Sequence, residues 1–292
     1  STTESSSDFV PTPGAVNSLQ QLAQSLRSSK PILLTGQGGS GKTFYIDQAA
    51  KHIGHHDDMV RIHLGDQSDA KILVGTYSTG NDLGSFEWRP GILTVAVREG
   101  RWVLIEDIDK APTEILSVLL PLLEKRELLI PSRGETIKAA PGFQLFSTIR
   151  TTHSKHGAAI IPDIIGKRLW SHVHVENPSF DELKQIIRER FTLLSNHAEN
   201  FVNTYSTASR IYSEPKFMSL NKSSQNRQIT SRDLIKWASR VNNMLVQRGV
   251  TSGNQPLDNV IYDYIFAEAV DCFTGFLPTF AARKYLVEAI GE

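Results

Sequence analysis

At 292 residues the chain is long for one hydrophobic core and suits one larger and one smaller domain. Its 31 basic and 31 acidic side chains cancel, which removes any global electrostatic reason to expect a nucleic-acid or membrane-surface binder. The single cysteine, Cys272, excludes an internal disulfide and sits in an apolar helical pattern, the setting of a core residue in a reducing compartment, and no stretch reaches the ~20 apolar residues of a membrane span.

Residues 1–8, the serine-rich run Ser1-Thr2-Thr3-Glu4-Ser5-Ser6-Ser7-Asp8, read as a linker or as the edge of a longer polypeptide. From Asn17 to Arg27, apolar Leu19, Leu22, Ala23 and Leu26 recur at helical spacing. Ile32 to Thr35 is a buried strand, and Phe44 to His52 starts a helix. Val60 to Leu64 is a second strand. Leu73 to Gly100 mixes glycines with Phe86-Glu87-Trp88-Arg89-Pro90-Gly91 and then an apolar-periodic Ile92 to Val97, which predicts a hairpin-bearing insertion followed by a short helix. Trp102-Val103-Leu104-Ile105 is apolar throughout, as a buried parallel strand is.

Thr113 to Lys125 predicts a helix with Pro121, a residue able to kink it, inside. A hairpin follows, with arms Leu128-Leu129-Ile130 and Ile137-Lys138-Ala139 around a turn at Ser132-Arg133-Gly134-Glu135. Phe143 to Thr148 and Val173-His174-Val175 complete the strands. Strands alternating with helices imply parallel βαβ units and a sheet covered on both faces. Beyond Asn177-Pro178 the pattern turns helical, opening on the capping box Ser179-x-x-Glu182. Ser213 to Arg227 reads as a long loop, after which Thr230-x-x-Asp233 starts another helix. The expectation is an α/β domain over 9–177 and a small helical lid over 178–292.

The chemistry starts at Gly36-Gln37-Gly38-Gly39-Ser40-Gly41-Lys42-Thr43, which matches G-x-x-x-x-G-K-[ST] and lies between a strand and a helix. Backbone N–H groups of such a loop wrap a β-phosphate at the positive end of the following helix. Lys42 is placed to reach the β- and γ-phosphates, and Thr43 to put its hydroxyl on Mg²⁺. A nucleotide hydrolase also needs acids on a nearby strand to hold the metal and orient water, and Ile105-Glu106-Asp107 supplies them. The histidines offer no comparable pattern. His52, His55 and His56 cluster, and His153, His156, His172 and His174 are scattered, but one cysteine and no H-x-x-x-H helix leave no recognisable zinc signature.

The phosphate loop, Trp102 to Asp109, the hairpin after the next helix and the helical lid together resemble an AAA+ ATPase module. The insertion around Trp88 places the resemblance in the branch of MoxR-type ATPases, magnesium chelatase and the midasins. More narrowly, Glu106-Asp107-Ile108-Asp109-Lys110-Ala111-Pro112 and Leu128-Leu129-Ile130-Pro131-Ser132-Arg133-Gly134 resemble the first ring module of the midasins, large dynein-like ribosome-assembly ATPases. This resemblance runs from about Phe9 to the end.

It implies a P-loop AAA+ parallel sheet with a lid, ATP or ADP with Mg²⁺ as cofactors, and neighbouring AAA+ modules in a ring as partners. It further implies removal of assembly factors from pre-60S ribosomal particles, a nuclear location in nucleolus and nucleoplasm, and no direct nucleic-acid binding. The usual AAA+ strand ends in Asp then Glu, whereas this chain inverts the pair. Glu106 therefore takes the metal position with a longer arm, and Asp107 the water-orienting position with one methylene fewer, where a shift near 1 Å costs ~10²-fold in rate. Where similar modules carry a polar sensor, usually asparagine, this chain has Ile149-Arg150, so Arg150 is open to a γ-phosphate contact or to a salt bridge with a neighbouring acid. Arg168, with Lys167 in reserve, occupies the place of an arginine finger in Ile164-Ile165-Gly166-Lys167-Arg168-Leu169-Trp170. Arg232 occupies that of a second sensor acting on a neighbour's nucleotide; the alternative is an ordinary surface arginine. Two rival functions stay open: a module that holds nucleotide with little or no hydrolysis, and a free-standing MoxR-like hexameric chaperone ATPase.

Overall fold

The computed structural model describes residues 9–64, 69–79, 85–151, 167–220, 228–253, 255 and 257–291. Among these the chain separates into two compact units, one of residues 9–16, 38–40 and 177–291, the other of residues 17–37 and 41–176.

The second unit is built on five strands: β1 (Ile32–Gly36), β2 (Val60–His63), β5 (Trp102–Glu106), β8 (Gln144–Arg150) and β9 (Ser171–His174). They pair in parallel in the order β2-β5-β8-β1-β9. Ile32, Leu33 and Leu34 in β1 and Val103, Leu104 and Ile105 in β5 have no solvent exposure, so both faces of the sheet are covered and the expected doubly covered α/β fold is observed. The covering helices carry apolar faces into this core: α2 (Lys42–Ile53) through Ile46, α4 (Ile92–Glu99) through Leu93, Ala96 and Val97, and α5 (Thr113–Lys125) through Ile115, Leu119 and Leu122. The short helix α3 (Ala70–Val74) leads into the insertion, an antiparallel hairpin of β3 (Gly75–Thr79) and β4 (Phe86–Pro90). A second antiparallel hairpin, β6 (Glu127–Ile130) with β7 (Glu135–Lys138), follows α5 and sets Leu128 opposite Ile137.

Some boundaries differ from the sequence expectation. The first helix, α1, spans Pro13–Leu26 and starts four residues before Asn17, because Pro13 suits a first helical position and the Thr12 hydroxyl accepts from the Ala15 N–H at 3.3 Å. Helix α5 has the expected span, Thr113 to Lys125, with Pro121 inside it. Strand β8 extends through Ile149 and Arg150, since the pairing with β1 continues until Arg150 stands opposite Gly36.

The helical unit contains α6 (Phe180–Arg190), α7 (Ala198–Tyr212), α8 (Pro215–Leu220), α9 (Ser231–Gln247), α10 (Asn259–Thr274) and α11 (Phe280–Gly291) around one apolar core. Both expected capping boxes are present, Ser179 with Glu182 and Thr230 with Asp233. The expected loop from Ser213 to Arg227 is corrected by α8, whose Phe217 is 1% exposed and lies 4.6 Å from the ring of Tyr212. Six residues are too few for a helical period to show in sequence, and burial of Phe217 against α7 supplies what local pattern lacks. Cys272 is buried in this core, as its apolar surroundings in sequence suggested, and that burial pushes its thiol pKa up.

Candidate nucleotide site

The segment after β1 bends sharply at two glycines. Gly39 has φ +84° and Gly41 φ +91°, in the left-handed region that side chains with a Cβ avoid. A Cβ on Gly39 would also lie 2.6 Å from the Thr230 Cβ. Gly38–Ser40 belongs with the helical unit, where the Ser231 hydroxyl donates to the Gly39 carbonyl at 2.8 Å. Lys42 opens α2 and is buried, and its Nζ donates to the carbonyls of Gly36 at 2.9 Å and Gln37 at 2.7 Å. Next to it, Thr43 Oγ1 donates to Glu106 Oε1 at 3.3 Å, which brings a hydroxyl and a carboxylate together at the end of β5. These are the hard oxygen ligands that Mg²⁺ takes, and the turn, lysine and hydroxyl fit a phosphate chain beside it. His63, which pairs with Glu106 across the sheet, has Nδ1 3.5 Å from Glu106 Oε2.

Asp107 follows Glu106 but has different surroundings. Its backbone is left-handed, φ 51° and ψ 51°, a conformation that costs a non-glycine residue about 1 kcal/mol. It is held there by its own N–H, which donates to Thr148 Oγ1 at 3.1 Å, and by its carbonyl, which accepts from Lys110 N–H at 2.9 Å. Both carboxylate oxygens are engaged. Arg150 Nε donates to Oδ1 at 3.1 Å, a terminal guanidinium nitrogen lies 3.1 Å from Oδ2, and Lys110 Nζ donates to Oδ2 at 3.0 Å. Of the two roles open for Arg150, the structure displays the salt bridge, and the acid is Asp107. Sheet order makes this possible: β8 lies between β1 and β5, so its last residue stands between the loop and the acid pair. One turn on, burial raises the Asp109 carboxyl pKa; a hydrogen bond from its own backbone opposes this and the charge of Asp107 adds to it.

Arg168 is exposed, in the single 3₁₀ turn Lys167–Leu169. Residues 164–166 of that run, and His153 and His156, lie outside the described residues, as does the Lys167 side chain. Arg232 is exposed in the first turn of α9. Among the remaining histidines, His55 stacks on Trp102 with ring centroids 5.0 Å apart, and His174 Nδ1 is 3.3 Å from Thr35 Oγ1. Sequence reasoning missed Lys110, Thr148 and His63. Lys110 stood inside the run Glu106 to Pro112 with no role of its own and Thr148 was visible only as a strand-end threonine, since their partner is set by the fold.

A parallel sheet with a glycine-bent phosphate loop after one strand and acids at the end of another, followed by a helical lid, defines an AAA module. Residues 31–166 match the AAA domain of the dynein-related subfamily, and residues 182–292 match the midasin AAA lid domain. Midasin of Dictyostelium discoideum is 38% identical over 94% of this chain, which spans 5% of that relative's length. Protein NorQ of Paracoccus denitrificans is 37% identical over 40% of this chain and 43% of its own length. The crystal structure of NtrX from Brucella abortus shares the fold, with a TM-score of 0.51 at 17% identity over 98% of this chain and 70% of that one. The chain belongs to the midasin family of AAA ATPases. AAA domains bind nucleotide, usually with Mg²⁺, and as a family they hydrolyse ATP.

Proposed function

We propose that this module binds ATP and ADP with Mg²⁺ and serves as the first module of a midasin-type ring. Backbone N–H groups of Gly36 to Gly41 hold the phosphates, Lys42 contacts the β- and γ-phosphates, and Thr43 and Glu106 hold the metal. Bound ATP would supply the phosphoanhydride whose cleavage drives such rings. Arg168 and Arg232 act on the nucleotide of a neighbouring module. The ring removes assembly factors from pre-60S ribosomal particles in the nucleolus and nucleoplasm. The observation that carries the nucleotide reading is the meeting of the Thr43 hydroxyl and the Glu106 carboxylate at 3.3 Å, directly beside the buried Lys42. The ring and its ribosomal work rest on the midasin relative and lid, whose similarity runs through both domains, whereas the similarity to NorQ covers 40% of the chain. That difference favours the midasin reading over a free-standing MoxR-like hexamer.

Calorimetry with ATP and ADP, with Mg²⁺ and with chelator, tests it. Binding is expected to strengthen with Mg²⁺ and to weaken about 10- to 100-fold in Lys42→Ala, the scale of a lost charged hydrogen bond. No binding under any condition sinks the reading.

A second reading, nucleotide held without turnover, is favoured by one specific observation: both oxygens of Asp107 are engaged by Arg150 and Lys110. A carboxylate paired with two cations is a weaker acceptor for the proton of an attacking water. The second reading predicts that nucleotide persists unhydrolysed through purification and that Asp107→Asn leaves turnover by the complete ring unchanged. Loss of that turnover rejects it.

A further inference from the structure

Asp107 and Arg150 form more than a surface ion pair. The Asp107 side chain is 16% accessible, while those of Arg150 and Lys110 are 55% and 56% accessible. The carboxylate is pinned from behind: its backbone is left-handed, its N–H is bonded to Thr148, and its carbonyl accepts from Lys110. The guanidinium is tethered only through its own flexible stem, at the last position of β8. That position is in register with Gly36, the first residue of the phosphate loop. The N–H of the next residue, Thr151, donates to the Gly36 carbonyl at 3.0 Å, and the same carbonyl accepts from Lys42 Nζ at 2.9 Å. Backbone pairing thus fixes the base of the Arg150 side chain beside the loop, while its charged end sits on Asp107.

Two cations share the Asp107 carboxylate here, with Asp109 beside all three, so Arg150 can turn to a second anion while Lys110 stays on Asp107. A terminal phosphate beside Lys42 is such an anion, and a planar guanidinium can pair with a phosphate as it does with a carboxylate.

We infer that Asp107 and the γ-phosphate of a bound nucleotide compete for Arg150, so that Asp107 is an internal anion against which ATP is told apart from ADP. The inference rests on the nucleotide-binding reading above. Arg150 moves and Asp107 stays, because the exposed partner is the one with room to swing. ADP has no group at that place and leaves the pair intact. ATP binds with an affinity lowered by the fraction of chains in which Arg150 is released, as for any ligand of a partly populated state. Lys110 keeps Asp107 neutralised after Arg150 departs, which makes the release easier.

The test is calorimetry of the 292-residue chain with Mg²⁺, using ADP and a non-hydrolysable ATP analogue. Asp107→Asn frees Arg150, and the analogue is expected to bind about three- to fivefold more tightly with ADP unchanged, the scale of a half-exposed ion pair. Lys110→Met has the opposite sign. Asp107 is then held by Arg150 alone, release is harder, and the analogue binds more weakly with ADP again unchanged. Arg150→Met lowers the preference for the analogue over ADP, and adding Asp107→Asn to it has no further effect. Equal changes for both nucleotides, no change, or a double variant that still tightens binding would overturn the competition. If the unaltered chain binds ADP but the variants behave in one of those ways, only this inference falls. If it binds neither nucleotide, the nucleotide reading falls and takes the inference with it. Lys110→Met lies on an exposed side chain, so its result stands even where Asp107→Asn disturbs folding.

Discussion

The two units put their polar side chains to opposite uses. In the α/β unit, buried or half-buried polar groups gather at the C-terminal ends of the strands: Lys42, Glu106, Asp107 and Thr148 make hydrogen bonds across 41 to 63 residues of sequence or back onto the loop. In the helical unit, polar side chains at three helix starts act as caps. Ser179 with Glu182, Thr230 with Asp233, and Asp258, which accepts from the Ile261 N–H at 2.8 Å, each close a helix start, while the core behind them is apolar. One unit holds charged groups in place at the expense of local strain. The other derives its stability from burial and from satisfied helix ends.

The largest effect that would break this contrast is expected in the helical core. Phe217→Ala removes a ring that is 1% exposed and packs on Tyr212 and, at 6.4 Å between centroids, on Tyr285. A loss of about 3–5 kcal/mol is expected in denaturant unfolding. A loss below about 1 kcal/mol would mean that α8 is a surface appendage and not part of the core.

A smaller effect tests the caps. Burial works to raise the Glu182 carboxyl pKa, but hydrogen bonds from the Ser179 N–H, the Gly14 N–H at 2.6 Å and the Ser179 hydroxyl outweigh it and hold the pKa below the usual glutamate value. Such a group stabilises the fold above the unfolded pKa of about 4.3, and that stabilisation is lost as pH falls through the lowered folded value. Glu182→Gln is expected to cost about 1 kcal/mol near neutral pH and to flatten this part of the acid dependence. An unaltered acid limb in melting temperature against pH argues against the cap.

The smallest effect has the reverse sign and lies in the α/β unit. Asp109 has a raised pKa and one buried carboxylate oxygen with no hydrogen-bond partner among the described residues. A raised carboxyl penalises the folded state as pH rises through the unfolded value of about 3.9, and the penalty is complete above the folded pKa. Asp109→Asn should therefore raise the melting temperature near neutral pH, by at most about 2 °C, with no gain in acid. A drop near neutral pH would place Asp109 among the stabilising partners of Asp107 instead.

Much of this was legible before the fold was known. The phosphate loop announced itself because glycines, a lysine and a threonine at fixed spacing between strand and helix have few other uses. The buried strands showed as unbroken apolar runs, and the capping boxes as short local patterns. Helix α8 was not legible because six residues carry no period and the anchor, Phe217, is held by side chains from distant helices. The last two residues of β8 were not legible because only pairing with β1 carries the strand that far.

By itself the sequence determined most of the elements, the loop and the acid-bearing strand, since propensity, hydrophobic period and motif spacing act over a few residues. It left Arg150 between a nucleotide and an acid, and it was silent on Lys110 and Thr148. Tertiary structure set the neighbours of all three, because the sheet order β2-β5-β8-β1-β9 puts β8 between the loop strand and the acid strand. Charged groups 43 residues apart in sequence come within 3.1 Å there, and the pairing of such groups depends on distance in space.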